Sequence, residues 1–96
     1  MDFQVLYTKS ALRDLEEVLD WSWDQHPGTT QRFGISLLNH VDMFKSFPRL
    51  GAPVKGYPGV LRFFHSPFHV YYHLLPEQKC IEVLHFWHRS RRQNPP

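Results

Sequence analysis

The sequence lacks the features that mark secreted or membrane-spanning chains. Its 96 residues include one cysteine, Cys80, so an internal disulfide cannot form. No apolar run approaches the ~20 residues that span a bilayer. The opening Met1-Asp2-Phe3-Gln4 also lacks the basic and then apolar character of a secretory signal. We therefore expect a cytoplasmic domain that makes no membrane contact.

Zinc-ligand spacing is absent as well, although the chain contains seven histidines. His69 and His73 share one face of a predicted strand, where four residues at ~3.3 Å each place them about 13 Å apart. One zinc ion cannot hold both, because zinc–nitrogen bonds are about 2.0–2.1 Å long. Cys80 opposite His73 would supply at most two ligands. The sequence predicts no metal site, no cofactor and no small-molecule substrate.

Apolar and aromatic residues are plentiful, at 42% and 16% of the chain, which excludes a disordered tail. The length predicts one small domain over residues 1–96. Charge is unevenly distributed: residues 1–50 hold seven acids and five bases, a balance of −2, and residues 51–96 hold two acids and six bases, a balance of +4. The basic half is either a solvated face or a surface for a polyanion or an acidic partner.

Two amphipathic helices are predicted after a short strand over residues 3–7. Thr8 is a plausible N-cap of the first helix, which ends at His26-Pro27-Gly28, and Pro27 suits the first position of the second helix. Phe47-Pro48 closes the second helix, because proline disfavours the α conformation in the residue before it. The apolar stripes recur at helical spacing. They consist of Ala11, Leu15, Val18 and Ser22 in the first helix, and of Phe33, Leu37, Val41 and Phe44 in the second.

Residues 48–59 are predicted to form an irregular connection, since they hold three prolines and three glycines. From Val60 the apolar period becomes two, which predicts strands at 60–65, 68–75 and 79–87. A two-residue turn at Ser66-Pro67 and a pairing of Leu75 with Gln78 would place one set of side chains under the helices. That set is Leu61, Phe63, Val70, Tyr72, Leu74, Ile81 and Val83.

The opposite face would then carry Arg62, Phe64, His69, Tyr71, His73, Cys80, Glu82 and Phe86. In this register Arg62, Tyr71 and Glu82 form one cross-strand row, in which Arg62 and Glu82 could form a salt bridge. The fold class expected is α+β, ordered β-α-α-β-β-β. Two N-terminal helices pack on one face of a small, mainly antiparallel sheet.

Four segments in this order resemble toxins of the RelE/ParE superfamily. They are Tyr7-Thr8-x-x-Ala11-x-x-Asp14-Leu15; Phe47-Pro48-Arg49-Leu50-Gly51; Leu61-Arg62 followed by Val70-Tyr71-Tyr72; and Ile81-Glu82-Val83-Leu84 leading into His88-Arg89-Ser90-Arg91-Arg92. The likeness spans residues 3–92. It implies the growth-arresting toxin of a type II toxin–antitoxin module, of the kind associated with plasmid stabilisation. The implied partner is an antitoxin whose extended C-terminal segment wraps the toxin.

The resemblance leaves the cellular target open. A RelE-like chain would be an mRNA interferase, cutting mRNA on the ribosome, with Arg62, His88 and Arg91 as its catalytic groups. RNA cleavage needs a base, a proton donor and cations facing the phosphate, and histidine titrates near neutrality. However, no tyrosine follows Tyr72, although RelE-like enzymes use one near the C-terminus, and the 48–59 loop offers only Arg49 and Lys55 as bases.

A ParE-like chain would inhibit DNA gyrase, which requires a binding surface and no assembled acid and base. The basic ending resembles this form more, and gyrase is the favoured target. The expected target-binding residues are Arg49, Lys55, Tyr71, Arg89 and Arg92. A third reading, from another class, is a non-toxic domain that stacks RNA bases on Phe64, Tyr71 and Phe86.

Trp21 and Trp23 are the candidate antitoxin-binding residues. Trp21 falls off the apolar stripe of the first helix and Trp23 stands at its edge, and exposed aromatic side chains often mark protein interfaces. The acids Asp20 and Asp24 nearby would suit a basic segment of the partner. A tryptophan lying flat on the small core is the alternative explanation.

Overall fold

The computed structural model describes residues 2–90, apart from the side chains of Trp21 and Ser22. The helices are α1 (Lys9–Gln25) and α2 (Pro27–Met43). The strands are β1 (Gln4–Tyr7), β2 (Ala52–Pro53), β3 (Val60–His65), β4 (Phe68–Leu75) and β5 (Cys80–His88), with a 3-10 turn at Pro76–Gln78 before β5. The predicted order is confirmed, and the short strand β2 is added to it.

Both helix starts follow the predicted sequence signals. The hydroxyl of Thr8 accepts a hydrogen bond from the backbone N–H of Ala11 at 3.0 Å, which satisfies a donor that the first turn of α1 leaves open. The same hydroxyl donates to the carbonyl oxygen of Leu84 at 3.1 Å and so ties α1 to β5. Pro27 begins α2, where its missing N–H costs nothing. No helix in residues 2–90 is long and apolar enough to cross a membrane.

The five strands form one sheet in the order β1-β5-β4-β3-β2. β1 runs parallel to β5, and the remaining neighbours are antiparallel. Both helices cover one face, and the core lies between them and the sheet. Its two clusters are Ala11, Leu37, Val41, Phe68, Val70, Val83 and Phe86, and next to them Phe44, Leu61, Tyr72, Leu74 and Ile81. The opposite face, which we call the outer face, carries Arg62, Phe64, His69 and Tyr71.

The two hairpin turns differ in how well the sequence predicts them. His65 pairs with Phe68 across the two-residue turn at Ser66-Pro67, as predicted. Leu75 pairs with Cys80, so the predicted partner Gln78 is wrong by two residues. The 3-10 turn and the left-handed conformation of Lys79 (φ 51°) take up the additional residues. A register shift of two residues leaves the same side chains facing the helices, because side chains alternate between the two faces of a strand with a period of two residues.

A β-bulge in β5 and the shifted turn each overturn one further expectation. Tyr72 pairs with Val83 but Tyr71 pairs with His85, which leaves Leu84 as the extra residue. Phe86 therefore turns inward and is 3% exposed, although the regular alternation predicts it on the outer face. The two-residue shift at the turn places Glu82 opposite His73, so the predicted row of Arg62, Tyr71 and Glu82 does not form. Beyond the bulge, Tyr71 stands between Arg62 and His85.

Candidate functional site

The outer face presents an unpaired cation. Arg62 is exposed on β3, and its guanidinium makes no hydrogen bond or ion pair with any residue in 2–90. The bridge to Glu82 that the sequence suggests is absent from this part of the chain, because the two-residue register shift at the turn before β5 places Glu82 opposite His73. Tyr71, directly across from Arg62, is only 8% exposed. Arg62 is thus available for a ligand from outside the described residues.

Two rings extend this surface beyond Arg62. Phe64 is exposed, and its ring centroid lies 4.9 Å from that of His69 on the neighbouring strand. Burial, and then the positive charge of Arg62, lower the pKa of His69. Both effects disfavour a second positive charge, so the imidazole is neutral near pH 7. The outer face therefore combines one cation with uncharged rings on which a base or an aromatic side chain could stack.

His88 belongs to the other side of the sheet. Its ring meets Phe68 edge-on at 5.3 Å, and Phe68 is a core residue under the helices. The Nδ1 atom of His88 accepts a hydrogen bond from the backbone N–H of Ser90 at 3.1 Å and lies 2.7 Å from the hydroxyl of that serine. The sheet thus separates His88 from Arg62. Arg91, the third candidate catalytic residue, lies outside the described residues.

The end of β5 that carries His88 is fixed by Asp14 of α1, a residue that the sequence did not single out for this role. One oxygen of its carboxylate accepts the backbone N–H of Phe86 at 3.2 Å and lies 3.2 Å from Nδ1 of His85. The bulge leaves this N–H without a partner on β1, which ends at Tyr7. Asp14 supplies the missing acceptor and holds the bulge against α1.

The basic residues expected to bind the target lie at two ends of the sheet, whereas Tyr71 lies in the middle of β4. Arg49 and Lys55 are exposed in the connection before β3, close to the end where Pro53 pairs with Leu61. Arg89 is exposed at the opposite end of β3, where its backbone N–H donates to Pro67 at 2.9 Å. β3 has six residues, so roughly 15–20 Å of strand separates the two groups. Arg92 lies outside the described residues.

Two hydrogen bonds tie the loop that carries Arg49 to Tyr72. The phenol hydroxyl donates to the carbonyl oxygen of Pro48 at 2.7 Å and accepts the backbone N–H of Gly51 at 3.1 Å. Burial raises the pKa of Tyr72, and the opposing hydrogen bond from Gly51 reduces this shift. The hydroxyl therefore remains a donor at neutral pH. On either side of Arg49 the loop exposes Phe47 (58%) and Leu50 (61%).

The helices offer apolar surface of their own. Trp23 is 52% exposed on α1, and Leu12, Ile35 and Leu38 are also exposed on the helical layer. The side chain of Trp21 lies outside the described part of the chain. Between the helices and the sheet, a mainly apolar groove of ≈ 460 Å³ is lined by Val18, Phe33, Pro67, Phe68 and His88, with Glu17 and Thr29 at its rim.

Residues 2–90 contain no cluster of metal-ligating side chains. No three side chains of His, Cys, Asp or Glu within that range cluster closely enough to hold an ion. Cys80 is buried, and its sulfur lies 3.9 Å from the side-chain oxygen of Gln78.

Sequence comparison assigns the family. A family model described as the ParE toxin of the type II toxin–antitoxin system parDE matches residues 5–93. The chain belongs to the ParE toxin family. It is thus a toxin of the RelE/ParE superfamily, as the four sequence segments indicated. No curated protein matches the sequence significantly.

Solved structures show the same fold in other ParE and RelE modules. The chromosomal ParDE system of P. aeruginosa contains a chain with a TM-score of 0.74 and 19% identity, covering 90% of this chain and 95% of that one. The toxin–antitoxin complex RelBE2 of Mycobacterium tuberculosis contains one with a TM-score of 0.66 and 18% identity, covering 93% and 100%. At these identities the likeness concerns the fold, which serves both kinds of toxin.

Proposed function

We propose that this ParE-family chain arrests growth by inhibiting DNA gyrase and that a cognate antitoxin neutralises it. The family match over residues 5–93 carries the proposal. The placement of the candidate catalytic residues supports it, because Arg62 lies on the outer face and His88 on the face under the helices. A general base and a cation for one phosphate have to lie within hydrogen-bond reach of the same substrate.

Gyrase would contact the basic residues at one end of the sheet or the other. Arg49 stands between two exposed apolar side chains on the loop that Tyr72 holds, and Arg89 follows β5 at the far end. Arginine and large apolar residues are the side chains that most often dominate the energy of a protein interface. Comparing Arg49→Gln with Arg89→Gln identifies the end that is used. Arg13→Gln, at an exposed site on α1, is the matched control.

The deciding experiment is induced expression of the chain with and without its antitoxin. Gyrase inhibition predicts growth arrest with protein-linked double-strand breaks in DNA, and relief of both by the antitoxin. Arg49→Gln or Arg89→Gln should weaken the arrest, and Arg13→Gln should not. Harmless expression of folded protein would reject the toxin proposal.

The alternative target is mRNA on the ribosome, and the exposed Arg62 beside Phe64 and His69 is the observation that favours it. That arrangement suits contact with a phosphate and stacking of a base. In that case mRNA would be cut only during translation, DNA would stay intact, and Arg62→Ala would abolish the cleavage. Salt-sensitive binding of free RNA with no toxicity would instead indicate an RNA-binding domain.

Antitoxin binding is proposed for the helical surface around Trp23, together with Trp21. Trp23 is exposed next to Asp24 on α1, where a segment with apolar and basic side chains would find both kinds of contact. Trp23→Ala should leave toxicity intact and weaken rescue by the antitoxin. The matched control is Phe64→Ala, which removes an aromatic side chain of similar exposure, 46% against 52% for Trp23, from the outer face. Equal rescue of Trp23→Ala and wild type would place the antitoxin elsewhere.

A further inference from the structure

Two histidines form a direct contact between α2 and β3 that neither the toxin's target surface nor its antitoxin surface uses. The Nδ1 atoms of His40 and His65 lie 2.8 Å apart, and the ring centroids are 5.0 Å apart. The hydroxyl of Ser36, one turn before His40, lies 3.4 Å from Nε2 of His65. Both rings are half-buried. We call this contact the histidine pair.

A nitrogen–nitrogen distance of 2.8 Å is that of a hydrogen bond, which needs one donor and one acceptor. One Nδ1 must therefore carry a proton and the other a lone pair. The two Nδ1 atoms face each other almost along the line that joins the ring centres. This arrangement suits a shared proton. Two histidines that bind one metal ion direct their nitrogen atoms at the ion and not at each other. A neutral or singly protonated pair satisfies this geometry. A doubly protonated pair does not, since it sets two N–H groups and two positive charges against each other.

The described surroundings of the histidine pair are mainly aromatic. The rings of Phe63, Phe44 and Phe33 enclose the pair, with the Phe63 centroid 4.5 Å from that of His40 and the Phe33 centroid 5.8 Å from that of His65. Among the described residues, no carboxylate forms a hydrogen bond or ion pair with either imidazole. Apolar packing of this kind increases the cost of burying charge.

Several charged and titratable groups on the adjoining elements have partners of their own. On α2, Asp42 pairs with Lys45 at 3.3 Å and Arg32 reaches Thr29 at 3.5 Å. On β4, His69 lies on the outer face beside Phe64. On β5, His88 is bonded to Ser90 beyond the ring of Phe68. The histidine pair therefore responds to pH mainly through its own two rings.

We propose that the histidine pair is a pH-sensitive contact that holds the middle of α2 against β3 at neutral pH and opens when both rings become protonated. Opening releases the segment of α2 that includes Phe33, which packs on Phe68 and forms one wall of the apolar groove. Acidification thus loosens the helical layer where it borders the groove. This response to pH depends only on the fold and is independent of the toxin's target.

The direction of the pH effect follows from linkage. Burial, and then the charge of His40, lower the pKa of His65 in the folded chain below its ordinary value of 6.5. The unfolded chain consequently binds more protons just below pH 6.5. The stabilisation is fully present above that pH and is lost as the pH falls toward the lower folded pKa.

The test compares the pH dependence of melting in the purified full chain. His40→Asn keeps an amide that can donate or accept near the position of Nδ1 and removes the second titratable ring. Between pH 7.5 and 5, the Tm of wild type should fall by several degrees more than that of His40→Asn. His26→Asn, which alters an exposed histidine before α2, should retain the wild-type dependence. Equal falls in wild type and His40→Asn would overturn the proposal.

A second measurement needs no variant and decides the matter even if His40→Asn fails to fold. Nitrogen-15 NMR of the wild-type histidine side chains should show one proton shared between the two Nδ1 atoms, and His65 should titrate below its ordinary pKa of 6.5. Two Nδ1 signals that show no shared proton, together with titration of His65 at its ordinary pKa, would overturn the proposal.

Discussion

Removal of one oxygen atom tests how the Arg49 loop is fixed. In Tyr72→Phe the ring still fills its buried site, but the carbonyl of Pro48 and the N–H of Gly51 both lose their partner. Gly51 is buried, so water does not readily replace the hydroxyl. A buried donor left without a partner costs about 1–3 kcal/mol. We expect a loss of about 2 kcal/mol, which lowers the Tm of a domain of this size by roughly 8–16 °C.

Tyr71→Phe is the matched control for this measurement. Its hydroxyl makes no hydrogen bond with any residue in 2–90, and its ring is buried in the adjacent position of the same strand. Thermal melting of both variants should therefore show a large loss for Tyr72→Phe and a change within about 0.5 kcal/mol for Tyr71→Phe. Equal and small losses would refute the inference that the hydroxyl of Tyr72 fixes the loop.

Three further predictions concern the same contacts. Gly51→Ala should lower the free energy of unfolding in urea by more than about 2 kcal/mol. A Cβ at this position would lie 2.5 Å from the Tyr72 hydroxyl and 2.9 Å from a backbone oxygen. An unchanged free energy of unfolding would contradict this close packing around Gly51. Asp14→Ala should lower the free energy of unfolding by about 1–3 kcal/mol and Asp20→Ala should leave it almost unchanged, because of these two residues only Asp14 accepts a β5 N–H. Equal losses of stability in the two variants would contradict the role of Asp14 at the bulge. Burial raises the pKa of Tyr72 above 10.0, so the stabilisation that its hydroxyl provides is complete below pH 10 and should decline above it. When melting is followed to pH 11, the decline in stability should be smaller in Tyr72→Phe than in wild type.

The sequence predicts the helices and the inward face of β3 and β4 because periodicity reports burial directly. Leu37 and Val41 recur at helical spacing and are fully buried, and Val70 and Tyr72 alternate along β4 and are fully buried as well. Thr8 is recognisable as an N-cap from its residue type and position alone. These features depend on interactions within a few residues of the chain.

The bulge and the histidine pair escape prediction because they depend on contacts between distant segments. Leu84 interrupts the alternation of β5, and the N–H of Phe86 beyond it is accepted by Asp14, about seventy residues earlier in the chain. His40 and His65 are separated by 25 residues, and neither stands in a motif. The short strand β2 pairs only two residues with β3 and includes a proline, so no strand pattern marks it.

Incubation of the purified chain with DNA gyrase and supercoiled plasmid tests the proposed function most directly. Gyrase inhibition predicts that plasmid becomes linear and covalently attached to the enzyme, in proportion to added toxin, and that prior addition of antitoxin prevents this. Unaltered supercoiling by gyrase, together with cleavage of mRNA in a translating extract, would contradict it and assign the chain to the ribosome.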